Sequence, residues 1–252
     1  MLVAERYEKI VGLVNDRGSI RVSELSELCH VTEETIRRDL DRLEKSGRLR
    51  RSHGGAVHIK EHHPETPYGE REIMHAEEKR SIAKEAVKRI QPNDRILLDA
   101  STTAWYMAAN LPDIPLTVLT NSIKVVLELS GKEKIQVIST GGLLSQRSLS
   151  FVGPLAERTL ETYHVDKCFF SCKGVHLERG VSESNELQAQ VKQRMIGIAD
   201  QVFLLADSSK FGLQSFTHVS ELNGVSEIIT DHHLDQLIQQ QLQERSIKVT
   251  MV

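Results

Sequence analysis

The sequence predicts a two-part α/β protein, an N-terminal winged helix-turn-helix followed by a larger α/β domain with a largely parallel sheet. Three observations predict it. Short helical patterns and a basic, glycine-bearing hairpin fill the first sixty residues. From Arg95 onward, short apolar runs alternate with helical stretches. Charge, finally, is divided unevenly between the two parts. With 252 residues, 39% of them hydrophobic and 27% charged, the chain can bury a sizeable core and is not a disordered linker. No apolar run approaches the ~18–20 residues of a membrane span. The start, MLVAERYEKI, carries charges too early for a signal peptide. Three cysteines argue against a disulfide framework and for a reducing, cytoplasmic setting.

The net charge of −3 conceals an asymmetry. Between Arg37 and Lys60 stand eight Lys/Arg and only Asp39, Asp41 and Glu44 as acids, a local +5 that leaves −8 for the rest. A charge run of this kind is either a solvated helix face or the footprint of a DNA-reading module.

The elements follow in order. Tyr7, Ile10, Leu13 and Val14 recur at helical spacing, so residues 4–16 read as a helix stopped near Gly18. Ile20 and Val22 suit a short extended segment, and Ser23 is placed to cap a short helix carrying Leu25 and Leu28. Cys29-His30-Val31 is a three-residue turn, and Thr32 caps a helix running to Ser46, ended by Gly47. On that helix Ile36, Leu40 and Leu43 face inward. Glu34, Arg38, Asp41 and Lys45 then point away, with Thr35 and Arg37 on the flanks. Arg and Thr near the N-terminal turn of a helix suit the major groove, where Arg pairs with guanine and Thr offers a hydroxyl or methyl. RLRRSHGGAVHI reads as a hairpin turning at His53-Gly54-Gly55, a wing bringing Arg50, Arg51 and His53 to phosphate or the minor groove. KEHHPETPYGE reads as a linker. The predicted boundaries are 1–58 for the DNA-binding domain, 59–70 for the linker and 71–252 for the effector domain. His62-His63 lacks further spaced ligands and reads as linker surface rather than metal site. No metal site or cofactor is expected.

Beyond a helix at about 72–90, the apolar runs Ile96–Leu98, Leu116–Leu119, Ile135–Ile138, Val165–Phe170, Val202–Ala206, Ile228-Ile229 and Ile247–Val249 read as strands. Ligands of such sheets bind at the carboxyl ends of strands. Three junctions there hold small polar residues: Asp99-Ala100-Ser101-Thr102-Thr103, Thr120-Asn121-Ser122 and Ser139-Thr140-Gly141-Gly142. Such residues cap helices, and the same geometry receives phosphate. Lys173 and Lys210 follow two further strands and supply countercharge. Cys168 and Cys172 share a strand face and read as packing residues.

Two groups of motifs carry a resemblance. V-T-E-E-T-I-R-R-D-L-D-R-L-E and R-R-S-H-G-G-A-V resemble the DNA-binding region of DeoR-type bacterial regulators. L-L-D-A-S-T-T, L-T-N-S, S-T-G-G, V-G-P-L-A-E and L-A-D-S-S-K-F resemble the effector domain of the same family. The resemblance implies a ribose-5-phosphate-isomerase-like effector fold that senses phosphorylated sugars or polyols. It maps Asp99, Ser101, Thr102, Thr103, Asn121, Ser122, Gly141, Gly142, Lys173 and Lys210 onto the pocket. Many relatives read Gly-Ala-Asp-Gly where this chain has Ser171-Cys172-Lys173-Gly174, which leaves open a different effector or effector charge. The expected protein is thus a repressor of a sugar or polyol operon, a homo-oligomer (dimer or tetramer) whose partners are operator DNA and a phosphorylated effector, with no membrane partner. The alternative is a sugar-phosphate isomerase with an added module. Isomerisation needs a carboxylate base, for which Asp99, Glu183 and Asp207 are available, while Lys173 stands where the resembling isomerases carry an aspartate. The expectation is that the chain is not an enzyme.

Overall fold

The computed structural model describes residues 3–17, 19–45, 49–52, 54–57 and 65–252. Contacts divide the chain into two units, Met1–His63 and Pro64–Val252.

In the first unit, α1 (Val3–Arg17), β1 (Ser19–Arg21), α2 (Val22–Cys29), α3 (Glu33–Lys45), β2 (Arg50–Ser52) and β3 (Gly55–Val57) form a winged helix-turn-helix. Its sheet has the order β1-β3-β2, all antiparallel. The inward residues of the helical pattern, Ile10, Val14, Leu25, Ile36, Leu40 and Leu43, meet in one core with Ile20, Leu49 and Ala56. The capping expectations divide. Thr32 accepts the backbone N–H of Thr35, as an N-cap should. Ser23 is no cap: α2 begins one residue earlier, with Arg21 at the cap position and no side-chain bond. The tight turn is closed by His30 in the left-handed region (φ 54°) and by Val31 N–H donating to Ser26 O. Gly55 is demanded by close approach, since a Cβ there would stand 2.3 Å from Ile20 O across the sheet. Gly18, Ser46, Gly47 and His53 lie outside the described residues, as does the side chain of Lys45.

The second unit begins with α4 (Tyr68–Ile73) and α5 (Ala76–Val87), two helices where one was expected. The break is at His75, whose φ of 50° cannot continue a helix. Tyr68, expected in the linker, is instead buried, and its N–H donates to Arg147 O at 2.7 Å. An aromatic ring with a surface to pack against is covered, whatever the polarity of its neighbours in sequence.

There follow β4 (Arg95–Leu98), α6 (Thr102–Asn110), β5 (Leu116–Thr120), α7 (Ile123–Leu129), β6 (Ile135–Ser139), β7 (Leu143–Ser145), β8 (Ser150–Val152), α8 (Pro154–Glu161), β9 (Val165–Phe170), β10 (Gly174–His176), β11 (Gly180–Glu183), α9 (Glu186–Gly197), β12 (Ala199–Leu205), β13 (Thr217–Ser220), β14 (Glu227–Thr230), α10 (Gln236–Glu244) and β15 (Val249–Met251). All seven predicted runs contribute strands to one parallel sheet of order β15-β14-β12-β9-β4-β5-β6. Successive side chains face opposite sides. Ile96, Leu98 and Phe169 pack with α5, α6 and α7, whereas Leu97, Cys168 and Phe170 pack with α8, α9 and α10. Burial pushes the Cys168 and Cys172 thiols up, as packing residues require. The hairpin β7–β8 and the small antiparallel sheet β10-β11-β13 are additions that the apolar runs did not announce.

The chain starts the sheet at β4, grows outward to β5 and β6, and returns to build β9, β12, β14 and β15 on the other side of β4. The winding therefore reverses between β4 and β9. Such a switch point leaves a crevice beyond the strand ends.

Candidate functional site

Asp99 follows β4 and Ser171 follows β9, so both sit at this crevice. Asp99 Oδ1 accepts Ser101 N–H and Oγ–H, and Oδ2 accepts Ser171 N–H at 3.1 Å. Ser101 Oγ in turn accepts Ala104 N–H and caps α6. Behind them Lys192 of α9 is buried, 2.7 Å from Asp99 Oδ2 and 2.9 Å from Glu183 Oε1, and it also donates to Ser171 O. Burial alone would lower the Lys192 pKa. Its two carboxylate neighbours outweigh that and raise it.

The cavity above this cluster is lined by Ser101, Thr102, Thr103, Ser171, Cys172, Lys173, Glu183, Ser184, Lys192 and Lys210, and by Glu65, Thr66, Arg71, Met74, His75 and Lys79 from the start of the unit. Cations dominate it. Lys79, Lys173, Lys210 and Arg71 join the paired Lys192, with Glu65 and Glu183 as the lining carboxylates. Asp207 stands behind, 3.9 Å from Lys210 Nζ. Burial first, and neighbouring charge second, displaces the pKa values of these groups. Burial, then Lys210, pushes Lys173 down. Burial lowers Lys79 to about 8, with Lys210 and Arg71 adding to the descent and Asp207 opposing it. Burial likewise raises Glu65.

Among the expected effector residues, Ser101, Thr102, Thr103, Lys173 and Lys210 line the cavity, and Asp99 lies directly behind it. Asn121, Ser122, Gly141 and Gly142 do not line it. They follow β5 and β6, on the outer side of the switch point. Asn121 Nδ2–H donates to Phe151 O and Phe151 N–H donates to Asn121 O, while Ser122 caps α7 and bridges to Ser150. Gly142 (φ 122°) lets the chain pass Val152 O and Ala156, each within about 3.1 Å of where a Cβ would stand. These junctions seat the β7–β8 hairpin. Sequence reasoning missed Arg71, Lys79 and Lys192. Two left a signal: Lys79 shares a helix face with Ile82, Ala83 and Ala86, and Lys192 shares one with Gln188, Ala189 and Met195. A lysine on an inward helix face is a buried charge in need of a partner.

In the first unit, α3 presents Glu34, Arg37 and Arg38 to solvent at its N-terminal half. Arg37 pairs with Glu33 at 2.6 Å and Arg38 with Glu34 at 3.4 Å, both exposed and hence weak, replaceable contacts. Thr32 and Thr35 share a hydroxyl contact of 2.9 Å. On the opposite face Asp39 is buried in a two-bond pair with Arg6 of α1. Of the expected wing residues, Arg50 and Arg51 lie on β2, but their side chains, like His53, fall outside what is described.

Comparison with known proteins accords with this two-part layout. A DeoR-like helix-turn-helix domain matches residues 6–62, and a DeoR C terminal sensor domain matches residues 74–232. The chain is 59% identical over 252 residues to the HTH-type transcriptional regulator YulB of Bacillus subtilis (strain 168), covering 100% of this chain and 98% of that protein. It is 38% identical over 246 residues to the L-fucose operon activator of Haemophilus influenzae, covering 98% and 99%. It is 34% identical over 229 residues to the transcriptional repressor AccR of Agrobacterium fabrum, covering 90% and 89%. Among solved structures, ribose 5-phosphate isomerase A of Methanocaldococcus jannaschii aligns at a TM-score of 0.39 and 19% identity over 53% of each chain, too slight a likeness to weigh.

Proposed function

The chain belongs to the DeoR family of DNA-binding transcriptional regulators, and from that premise we propose that it represses a sugar or polyol operon and is released by a phosphorylated effector bound at the switch-point cavity. The observation that carries this reading is the cationic crowding of that cavity. Lys79, Lys173, Lys210 and Arg71 converge where the N-terminus of α6 also opens. A phosphate dianion relieves their mutual repulsion and gains charge-assisted hydrogen bonds, which a neutral sugar does not. Ser171, Ser184 and Glu183 offer hydroxyl and carboxylate partners for the sugar portion. The relatives named above act on an L-fucose operon or as a repressor, and the carbohydrate class is carried over from the family on that basis.

Residues 1–58 read DNA in this account, with Arg37, Arg38, Thr32, Thr35 and Glu34 toward the major groove and Arg50, Arg51 and His53 on the wing. The sensing region, expected to span 71–252, takes in Glu65 and Thr66 as well, since both line the cavity. A homo-oligomer follows from the two-fold symmetry that operator recognition favours. No helix among the described residues is long and apolar enough to cross a membrane; the cytoplasmic setting proposed here rests instead on the DNA-binding role of the family. We read the cavity as a sensor and not as an enzyme. Asp99, behind the cavity, is engaged by Lys192, Ser101 and Ser171, and Glu183, which lines it, is paired with the same Lys192, which leaves both poor general bases.

The test is an operator-release assay with paired sugars and their phosphates. The phosphorylated member of one pair should weaken operator affinity by about 5–150-fold, the usual range of coupling between sites, and its parent should not. Lys210→Ala should keep operator affinity and lose the response. Release by an unphosphorylated sugar alone, or full induction of Lys210→Ala, overturns the reading.

A further inference from the structure

We propose that Arg71, on the segment leading out of the DNA-reading unit, is an anion receptor of the cavity, so that a bound phosphate fastens α4 to the sensing unit. The proposal rests on the phosphate reading above and deepens it by naming a residue and a route of regulation.

The guanidinium of Arg71 lies over the Tyr68 ring, 5.7 Å from its centroid, but its hydrogen-bonding edge is incompletely used. Its Nε and Nη2 are buried and have no hydrogen-bond acceptor among the described residues. The nearest paired carboxylate, Glu65, stands 3.7 Å from Nη2, beyond hydrogen-bond reach. Buried donors left unmade cost free energy, and a guanidinium offers them in a planar fork that matches two oxygens of a phosphate. An anionic ligand brings the missing acceptor when the guanidinium, now closed off from solvent, turns its fork into the cavity that Arg71 lines.

Arg71 also faces the right neighbours. It lines the same cavity as Lys173 and Lys210, which arrive from the ends of β9 and β12, and as Ser101 and Thr102 at the start of α6. Its charge is felt at Lys173, where it adds to the downward push. An anion between them would join the start of the unit to its sheet.

That start is held by the buried Tyr68 ring and by a few hydrogen bonds of its backbone. With six residues, α4 is too short to be stable alone, so its order depends on what it touches. Tyr68 N–H donates to Arg147 O at 2.7 Å, Arg147 Nη1 donates to Glu65 O at 3.2 Å, and Tyr106 OH donates to Glu72 O at 3.1 Å. Lys79 Nζ holds Arg71 O and Met74 O at the far end. A phosphate on Arg71 adds a side-chain tether to these backbone bonds. Because this segment directly follows the division between the units, fastening it is a physical means for a ligand to alter the chain that leads to the reading unit.

The experiment uses the full-length protein and inorganic phosphate as probe. Phosphate affinity is taken from thermal shift, and amide hydrogen exchange is followed over residues 65–74. Wild type should be stabilised by phosphate, with slower exchange in that segment. Arg71→Ala should weaken phosphate by about tenfold or more and abolish the slowing. Arg71→Lys, which keeps the charge without the fork, should fall between, and its ligand-free melting temperature and operator binding control for folding. If phosphate stabilises wild type and Lys173→Ala weakens it while Arg71→Ala binds as wild type does, Arg71 is not a receptor and the cavity reading stands. If phosphate binds wild type but leaves exchange over 65–74 unchanged, the fastening of α4 is wrong. If phosphate fails to stabilise wild type at all, the phosphate reading falls and this proposal with it.

Discussion

Lys192 on α9 lies 2.7 Å from Asp99 at the end of β4, and both side chains are almost wholly buried. The pair ties a helix on one face of the sheet to the strand at which the winding reverses. Glu183 and Ser171 complete it, so that β4, some ninety residues back in the chain, meets the ends of β9 and β11 on the ammonium group of α9.

Removing one member should therefore be costly. Lys192→Met leaves Asp99 and Glu183 buried without their cation, and about 3–5 kcal/mol of stability should be lost. Combined with Asp99→Asn the loss should be less than additive, because the second change removes a charge already orphaned. Urea unfolding of the two single variants and the double variant checks this; additive losses would show that the two side chains do not share an interaction.

The buried Arg6–Asp39 pair holds α3 against α1, with Arg6 Nε 2.6 Å from Asp39 Oδ2. Asp39→Ala should destabilise the reading unit by about 3–5 kcal/mol and lower operator affinity for all sequences together, since it disturbs the helix and not a base contact. Phosphate binding by the sensing unit should be unchanged. A selective loss at one operator position would assign Asp39 a different role.

Arg38 is exposed on the outer face of α3 and is paired only loosely with Glu34. Arg38→Ala should cost roughly 1–3 kcal/mol on the operator and relax preference at one base pair. Competition binding against operators varied at single positions measures both. Equal losses on operator and random DNA would make Arg38 a phosphate contact.

Lys79 predicts a pH dependence. Burial lowers its pKa to about 8, below its ordinary 10.5. Between these values the unfolded chain holds a proton that the folded one has released, so this residue's contribution to stability rises with pH through that window and is a penalty below it. An anion in the cavity favours the charged form. Phosphate binding at pH 8–9 should hence take up protons, and affinity should fall as pH rises through about 8. Calorimetry in two buffers of different ionisation enthalpy reads the uptake; a buffer-independent heat would mean that Lys79 does not sense the ligand.

Much of the fold was legible because its signals are local. The spacing of Ile36, Leu40 and Leu43 oriented α3, Thr32 marked its start, and each of the seven apolar runs contributed a strand. Departures came where a tertiary partner overrode a local cue. Tyr68, among linker-like residues, is buried beside the loop that holds Arg147. Ser23 lies one residue inside α2 because Val22 enters the core at the helix start.

The sequence by itself determined the two-part organisation, the element types and the presence of polar junctions after strands, since periodicity, capping and charge act over a few residues. Only the tertiary structure decided which junctions form the cavity. Asp99 and Ser171 meet because β4 pairs with β9, while Asn121 and Gly142, equally polar in sequence, are carried outward by β5 and β6 to seat a hairpin. Strand order depends on how crossover helices pack on the two faces of the sheet, a long-range property that no window of residues contains. The same holds for Arg71, Lys79 and Lys192, brought to one site from α4, α5 and α9 by the packing of helices on opposite faces of one sheet.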